Sequence, residues 1–474
     1  MLKSISGPAF AGLLSCAVFG AWAAGPGAEG KTVSPTLGSE AREHLKALTA
    51  LDTSNPPGNE AKAVDYLKAR LDREGIPATV IAFAQGRSSL IARLKGSQGK
   101  RPLLLVCHTD VVPPEPSEWA TPPFEPVETG GYLYARGAAD NKSMCAAMLS
   151  VLTHLKRSGR RMVRDVVFLA HADEESGGAA RHLDWLLERQ GRELEAEFAL
   201  MEGGNTVWKD GKVAEIRVQT AEKTYLDVIL TSRGSSGHSS IPRQDNAVAS
   251  LARAVARLSE YRAPAVLTPM VKDFLVRQSS LGDAEVRSAI KAVLQARPNE
   301  LDAAADGLEA VSVDFAAMLR DTITPTMIKG GYKANVVPSG AEAVLNARLL
   351  PGAVPAQFMA LLSTVVADPS VTIRAEPTAA PPPGPTPADT ELYKAIEEAA
   401  SVEAPGAPVM PFMAVWTTDA ASLRARGVKV YGLDVPLSDD DGSRVHGKNE
   451  RISLAAFDWY AQFLSSVVEK VAVR

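Results

Sequence analysis

The fold class of this 474-residue chain is decided by the segment Arg101-Pro102-Leu103-Leu104-Leu105-Val106-Cys107-His108-Thr109-Asp110. Its nearly continuous apolar run is typical of a strand that is buried on both faces of a sheet. Similar runs recur at residues 165–172 and 198–201, and segments with helical spacing lie between them at residues 138–155 and 179–190. Strands that alternate with helices predict an α/β fold with a mixed, mostly parallel sheet flanked by helices.

The pattern changes near Ile216, where short alternating strands and amphipathic helices predict an α+β insert. We expect residues 218–379 to form this inserted domain. The first domain is then split between residues 35–217 and residues 380–474. Within the insert, residues 263–324 carry few turn signals, chiefly Gly282, Pro298 and Gly307, which predicts a helical elaboration broken at those points.

The overall charge excludes one class of function. Lys and Arg total 51 and Asp and Glu total 55, so the formal net charge is −4. No cluster of basic residues stands out, and we expect no nucleic-acid partner. The composition, with 46% hydrophobic and 22% charged residues, also argues against a disordered or polytopic membrane protein.

The first 24 residues are typical of a secretory signal peptide. One positive charge in Met1–Lys3 precedes a mostly apolar run, which ends in Ala21-Trp22-Ala23-Ala24. This predicts a periplasmic or secreted protein with no stable membrane insertion after cleavage. A retained membrane anchor and a lipoprotein cleaved before Cys16 are the alternatives.

Two cysteines, Cys107 and Cys145, remain after that cleavage. Two cysteines do not make a disulfide scaffold in an exported chain of this length. We therefore interpret both as small buried thiols.

Side chains able to bind metal follow successive strands. Ligands of open α/β sheets bind at the carboxyl ends of the strands. Carboxylates and imidazoles without thiolates suit zinc, or cobalt or manganese as substitutes. Taken singly, each could instead be a satisfied histidine, a helix N-cap or a solvated loop residue. The candidates in chain order are His108, Asp110, Asp140, Glu174, Glu175, Glu202 and His446.

Five ligands are too many for one tetrahedral ion, whereas two ions about 3.5–4 Å apart that share one carboxylate use them economically. Asp140 is the natural bridge, because it lies centrally at the start of a helix. The adjacent Glu174 and Glu175 allow one of the pair to be a ligand and the other a base.

Short motifs surround the candidate residues and recur along the chain. They are His108-Thr109-Asp110-Val111-Val112-Pro113, Tyr134-Ala135-Arg136-Gly137-Ala138-Ala139-Asp140, Asp173-Glu174-Glu175, Glu202-Gly203-Gly204, Gly237-His238-Ser239-Ser240, Asn335-Val336-Val337-Pro338, Arg348-Leu349-Leu350-Pro351-Gly352 and His446-Gly447-Lys448-Asn449-Glu450. Together they resemble the signature of the co-catalytic zinc aminoacylase and carboxypeptidase family, and the resemblance covers essentially the whole mature chain. This family includes carboxypeptidase G, aminoacylase, succinyl-diaminopimelate desuccinylase, acetylornithine deacetylase and the carboxypeptidase S type.

The resemblance implies a role for each candidate. Glu174 would be the general base and acid, Asp110 would orient His108, and the peptide bond after Asp140 would be cis. Two Zn²⁺ per subunit would be held by His108, Asp140 and Glu202 and by Asp140, Glu175 and His446.

Three further residues have implied roles in binding the substrate. His238 would donate to the oxyanion, often from a partner subunit. Arg348 would clamp the substrate's free carboxylate, and Asn335 would help hold the substrate. The insert would then be a lid or dimerisation domain, which implies a homodimer.

The resemblance also implies the reaction. The leading hypothesis is a two-zinc hydrolase that removes the C-terminal residue of a short peptide, as a metallocarboxypeptidase or dipeptidase. An N-acyl-amino-acid aminoacylase with the same chemistry is the alternative, and a binding protein that has lost catalysis is a third, against which the intact Glu174 argues. One departure concerns the substrate pocket, because the loop Val415-Trp416-Thr417-Thr418-Asp419 stands where relatives often have Gly-Gly-Thr-Asp.

Overall fold

The computed structural model of the chain describes residues 36–97, 99–176, 182–376 and 384–474. The predicted signal peptide, the lipoprotein alternative at Cys16 and the start of the helix predicted at residues 179–190 lie outside these ranges. Within them, no helix combines the length and the apolar character that crossing a bilayer would require.

The described residues form both helices and strands. The helices are α1 (Leu37–Thr49), α2 (Ala61–Arg73), α3 (Lys142–Ser158), α4 (His182–Arg189), α5 (Ala247–Glu260), α6 (Pro269–Gln278), α7 (Ala284–Gln295), α8 (Leu301–Glu309), α9 (Val313–Ala317), α10 (Pro355–Val366), α11 (Glu391–Glu403), α12 (Ala420–Arg424), α13 (Asp439–Gly442) and α14 (Leu454–Ala472). The strands are β1 (Ala78–Ala84), β2 (Arg87–Leu94), β3 (Leu103–His108), β4 (Val127–Thr129), β5 (Tyr132–Tyr134), β6 (Val166–His171), β7 (Phe198–Met201), β8 (Asn205–Lys209), β9 (Lys212–Glu222), β10 (Thr224–Arg233), β11 (Gly237–His238), β12 (Thr322–Gly330), β13 (Val336–Val337), β14 (Gly340–Leu349), β15 (Val371–Ala375), β16 (Val409–Ala414), β17 (Lys429–Gly432) and β18 (Arg451–Ser453).

A mixed central sheet confirms the predicted fold class. Its strand order is β1-β2-β6-β3-β7-β17-β9-β16, with β8 paired to β9. The strands β6, β3, β7 and β17 at its centre run parallel to one another. Leu103 and Leu105 of β3 pack into one apolar cluster and Leu104 and Val106 into another, so both faces of this strand are covered. This two-sided burial explains the continuous apolar run in the sequence.

A separate antiparallel sheet, ordered β12-β14-β10-β15, forms a smaller α+β unit. Alternate residues of β14, from Ala341 to Leu349, are buried. They pack with apolar residues of α5 and α10 in one cluster. The period-2 burial is that of a sheet with one face against a core and the other towards solvent.

The segment predicted as a helical elaboration is helical, forming α6 to α9. The breaks at Gly282 and Pro298 are confirmed, but the predicted break at Gly307 is wrong because this residue lies inside α8. Space is open around Gly307, and a helix tolerates such a glycine at a cost of about 1 kcal/mol. The segment shares its apolar cluster with Met410 and Phe412 of β16, so it packs on the edge of the central sheet.

The interpretation of Cys107 and Cys145 as two free thiols is wrong. Both are buried, but their sulfurs are bonded at 2.00 Å. Cys107 is the penultimate residue of β3, and Cys145 lies in the first turn of α3, which packs on that strand. This packing brings the two Cα atoms to 5.4 Å, within the range that a disulfide spans.

We expect replacement of both cysteines by alanine to lower the free energy of unfolding by about 3–4 kcal/mol, because the bond closes a loop of 38 residues in the unfolded chain. Urea unfolding of the double variant Cys107→Ala/Cys145→Ala and of the wild type measures the difference. Non-reducing peptide mapping of the wild type should recover the two cysteines in one linked peptide. Recovery of two separate thiol peptides would contradict the bond.

Candidate metal centre

The central sheet delivers the candidate ligands to one edge. His108 of β3 is level with His171 of β6, so the two parallel strands end together. The loop that carries Glu174 and Glu175 follows β6, and Glu202 follows β7 directly. The convergence predicted from the strand ends is therefore confirmed, as is the cis peptide bond between Asp140 and Asn141.

Two groups of potential ligand atoms share the Asp140 carboxylate. Nε2 of His108 lies 3.0 Å from Oδ1 of Asp140 and 3.3 Å from Oε2 of Glu202. Nε2 of His446 lies 3.1 Å from Oδ2 of Asp140 and 3.2 Å from Oε1 of Glu175. Within each group the ligand atoms lie within 4.8 Å of one another. The two oxygens of Asp140 thus face one imidazole each, which is the arrangement of a bridging ligand.

The electrostatics of the cluster fit a pair of cations. Hydrogen bonds to Asp140 and Glu175 raise the pKa of His446 to about 10. Burial alone would lower the pKa of His108, but Glu202 and the other carboxylates around it raise that pKa well above its usual value. Oε1 of Glu175 is buried and faces Nε2 of His446 at 3.2 Å. A buried carboxylate oxygen beside an imidazole nitrogen is a pair of ligand atoms that suits zinc.

Asp110 positions the loop that follows β6. Its carboxylate accepts hydrogen bonds from the main-chain nitrogens of Glu174 at 3.3 Å and Glu175 at 3.0 Å, and from Nδ2 of Asn55 at 2.8 Å. Nδ1 of His108 lies 3.0 Å from the main-chain oxygen of Asp110 and 3.5 Å from its carboxylate. Burial would raise the pKa of Asp110, but these contacts hold it at about 2. The residue therefore contacts both the imidazole that it was predicted to orient and the adjacent glutamates.

Glu174 is half-buried beside the two groups of ligand atoms and lines the same cleft. Burial, together with the nearby Glu202 carboxylate, raises the pKa of Glu174 well above its usual value. Asp419 also lines the cleft, and Nε2 of His171 lies 3.7 Å from its carboxylate. Of the histidines predicted to be structural or on the surface, His44, His171 and His182 are buried and His154 is half-exposed.

The buried pair of Arg136 and Glu450 was not singled out from the sequence. Nη1 of Arg136 donates to Glu450 at 2.6 Å, and Nη2 donates to the main-chain oxygen of Gly447 at 2.9 Å. Glu450 accepts from the main-chain nitrogens of Ala139 at 2.8 Å and Asp140 at 3.1 Å. The pair therefore ties the loop of Asp140 to the loop of His446. Both residues lie within motifs that carry the family resemblance. Their opposite charges were the sequence signal that could have identified them as a pair.

The ligand cluster lies in a large cleft with a volume of about 1460 Å³. Arg348 lines this cleft, and its guanidinium lies 4.6 Å from the centre of the Tyr225 ring. Nη1 of Arg348 donates to Oγ1 of Thr417 at 3.2 Å, and Nε donates to Asn346 at 2.8 Å. In the part of the chain that the structure describes, no carboxylate lies within 4.0 Å of this guanidinium. Arg348 is therefore available to an anionic ligand.

Two of the predicted site residues lie elsewhere. His238 is exposed in β11, which pairs with β13, and Asn335 is exposed immediately before β13; neither lines the cleft. They are close to each other, since the main-chain nitrogen of Ser239 donates to the oxygen of Asn335 at 3.2 Å. Within one chain, the structure does not bring them to the ligand cluster.

Comparison with known proteins identifies similar chains. The chain is 29% identical to the N-fatty-acyl-amino acid synthase/hydrolase PM20D1 of Xenopus tropicalis, over 81% of this chain and 75% of that protein. It is 26% identical to the probable carboxypeptidase S-like 2 of Dictyostelium discoideum, over 80% of this chain and 74% of that protein.

The fold is that of a solved metallohydrolase. The M20 family metallo-carboxypeptidase Sso-CP2 of Sulfolobus solfataricus superposes with a TM-score of 0.69 and 23% identity, over 90% of this chain and 99% of that one. A sequence profile of the peptidase family M20/M25/M40 matches residues 104–470, which contain all the candidate ligands. The chain belongs to the peptidase family M20/M25/M40, and it is a metallohydrolase.

Proposed function

We propose that the protein hydrolyses the amide bond that precedes a C-terminal residue with a free carboxylate in a short peptide, as a metallocarboxypeptidase or dipeptidase. The observation that carries this proposal is one cleft that holds two ligand groups joined by Asp140, the carboxylate of Glu174 and the guanidinium of Arg348. A base and an anion anchor in the same cleft suit a substrate with a scissile amide close to a carboxylate.

The ligand groups would hold two Zn²⁺ ions, for which Co²⁺ or Mn²⁺ could substitute. The residues concerned are His108, Asp140 and Glu202 for one ion and Asp140, Glu175 and His446 for the other. Bound there, the ions would supply Lewis-acid polarisation of the substrate carbonyl and acidify the attacking water.

Glu174 is the proton carrier in this proposal. Its carboxylate accepts a proton from the attacking water and donates it to the nitrogen of the leaving amino acid. The contact of its main-chain nitrogen with Asp110 fixes the loop from which this carboxylate projects.

The substrate class is tested with a panel of dipeptides and N-acyl amino acids, compared by kcat/KM on the zinc-loaded protein. We expect hydrolysis that exhaustive chelation abolishes and that added zinc restores. Activity that survives chelation, or a panel without any turnover, would contradict the proposal.

An N-acyl-amino-acid aminoacylase is the second candidate, because it needs the same base, ligands and carboxylate anchor. The similarity to the N-fatty-acyl-amino acid synthase/hydrolase of Xenopus tropicalis favours it. Faster turnover of N-acyl amino acids than of dipeptides with the same C-terminal residue would select it.

Replacement of Arg348 by alanine is expected to raise KM by about 10- to 100-fold with little change in kcat, because it removes charged hydrogen bonds made equally in the ground and transition states. Arg348→Lys should recover only part of the loss, since one ammonium cannot make two parallel hydrogen bonds. Steady-state kinetics measure both effects. Arg374→Ala, at an exposed position of β15 paired with Glu376, is the matched control. An equal loss for substrates whose carboxylate is amidated would contradict the anchoring role.

His238 and Asn335 are proposed to act across a homodimer formed through the inserted domain. Nδ1 of His238 accepts from the main-chain nitrogen of Ser240 at 3.2 Å, which leaves Nε2 as the donor that could stabilise an oxyanion. Their exposure, away from the cleft of their own chain, supports action on a partner subunit. A monomer with full activity would contradict this role.

We also propose export of the protein to the periplasm or outside the cell. The apolar segment at residues 1–24 supports cleavage by signal peptidase. The Cys107–Cys145 bond supports an oxidising compartment, because such bonds are rare in reducing cytosol.

A further inference from the structure

Four aromatic side chains form one wall of the cleft. This aromatic wall consists of Phe274, Phe315, Phe412 and Trp416. Phe315 and Trp416 line the cleft, and Phe274 and Phe412 are buried behind them. The ring centres are 5.4 Å apart for Phe274 and Phe315, 5.7 Å for Phe274 and Phe412 and 5.8 Å for Phe412 and Trp416. The packed inner rings fix the position of the two outer ones.

The wall presents apolar surface without an unpaired charge of its own. Trp416 is 37% exposed, whereas tryptophan is on average highly buried in folded proteins. The guanidinium of Arg217 lies 5.4 Å from the Phe315 ring, but the carboxylate of Glu215 pairs with it at 2.6 Å. Phe315 is 9% exposed, so Trp416 supplies most of the exposed surface of the wall. An exposed tryptophan inside a cleft is typical of a surface that a ligand covers.

The wall adjoins the proposed carboxylate anchor. Thr417, whose hydroxyl accepts from Nη1 of Arg348, directly follows Trp416. The same hydroxyl donates to the main-chain oxygen of Lys223 at 2.8 Å, so the position of the loop relative to Arg348 is fixed. In an α-amino acid whose carboxylate binds Arg348, the side chain is attached to the same Cα atom as the carboxylate. The acyl group is attached through the nitrogen and therefore lies one bond further from the carboxylate.

We propose that the aromatic wall is the subsite for a large apolar side chain on the amino acid that carries the free carboxylate, with Trp416 as its specificity-determining residue. This inference rests on the proposed function and names the substrate class of the same site. Aromatic and branched aliphatic residues are preferred at this position. Glycine leaves the wall uncovered, and a charged side chain loses its hydration there.

The test compares substrates with one fixed acetyl group and a varied amino acid, namely phenylalanine, leucine, glycine, aspartate and lysine. We expect the zinc-loaded wild type to show a kcat/KM for phenylalanine at least about tenfold above that for glycine. Trp416→Ala lowers this ratio about tenfold or more, and Trp416→Phe keeps most of it. Leu361→Ala, which truncates an exposed apolar side chain of α10 outside the cleft, leaves the ratio unchanged.

Binding of the released product gives a second measurement that does not need turnover. Free phenylalanine should raise the melting temperature of the zinc-loaded wild type more than glycine does, and this difference should vanish in Trp416→Ala. Turnover with equal kcat/KM for phenylalanine and glycine would overturn the inference and leave the proposed function standing. A second series keeps phenylalanine and varies the acyl group from acetyl to octanoyl, and a Trp416→Ala effect that follows this acyl length instead would also overturn the inference. Absence of turnover of both these substrates and the dipeptides would overturn the proposed function, and the difference in melting temperature between phenylalanine and glycine would then show whether the aromatic wall binds the side chain.

Discussion

Glu174→Gln is expected to lower kcat by about 10³- to 10⁴-fold, the upper range for loss of a positioned general base and acid. Glutamine has the same shape but cannot accept and return a proton. The loop should stay in place, because its hydrogen bonds to Asp110 come from main-chain nitrogens. KM should change little, because Glu174 acts on the proton transferred during the reaction and Arg348, the proposed carboxylate anchor, is intact.

The metal content separates this role from that of a ligand. Elemental analysis of Glu174→Gln should give the same metal content as the wild type. Glu202→Gln is the matched comparison. The same chemical change there replaces a predicted metal ligand, the carboxylate whose Oε2 lies 3.3 Å from Nε2 of His108. A Glu174→Gln protein that has lost its metal would show that this residue is a ligand, as its grouping with His108 and Glu175 also permits.

The strand ends made the site predictable from the sequence. His108, Glu175 and Glu202 each follow an apolar run, and parallel strands bring such positions to one edge. The apolar runs themselves were readable because β3 and β6 are covered on both faces. Asp140 lies just before α3 and His446 lies in a loop between α13 and β18, so no apolar run leads directly to either residue.

Contacts between distant segments were not predictable in the same way. Arg136 and Glu450 are 314 residues apart. The hydrophobic periods of 3.6 residues in helices and 2 residues in strands predict local structure, but they do not predict which loops contact each other. The Cys107–Cys145 bond likewise depends on how α3 packs on β3. The helices α6 to α9 were predicted as helices, but only the tertiary structure places them on β16 and so builds the aromatic wall.

Asp140→Ala is expected to remove both metal ions and, with them, all measurable hydrolysis. Its two oxygens lie 3.0 Å from Nε2 of His108 and 3.1 Å from Nε2 of His446, so one side chain serves both ligand groups. The metal content measured by elemental analysis should fall from about two ions per chain to well below one. The local backbone should survive, because Glu450 holds the main-chain nitrogen of Asp140 whatever its side chain.

His446→Ala is the variant that makes this result specific to a bridge. It removes a metal ligand from one ligand group only. His108, Asp140 and Glu202 remain to hold the other ion. We therefore expect about one ion per chain in His446→Ala, with a circular dichroism spectrum like that of the wild type in both variants. If Asp140→Ala kept one ion and His446→Ala lost both, the shared ligand would be a residue other than Asp140. The two-ion arrangement inferred from its oxygens would then be wrong.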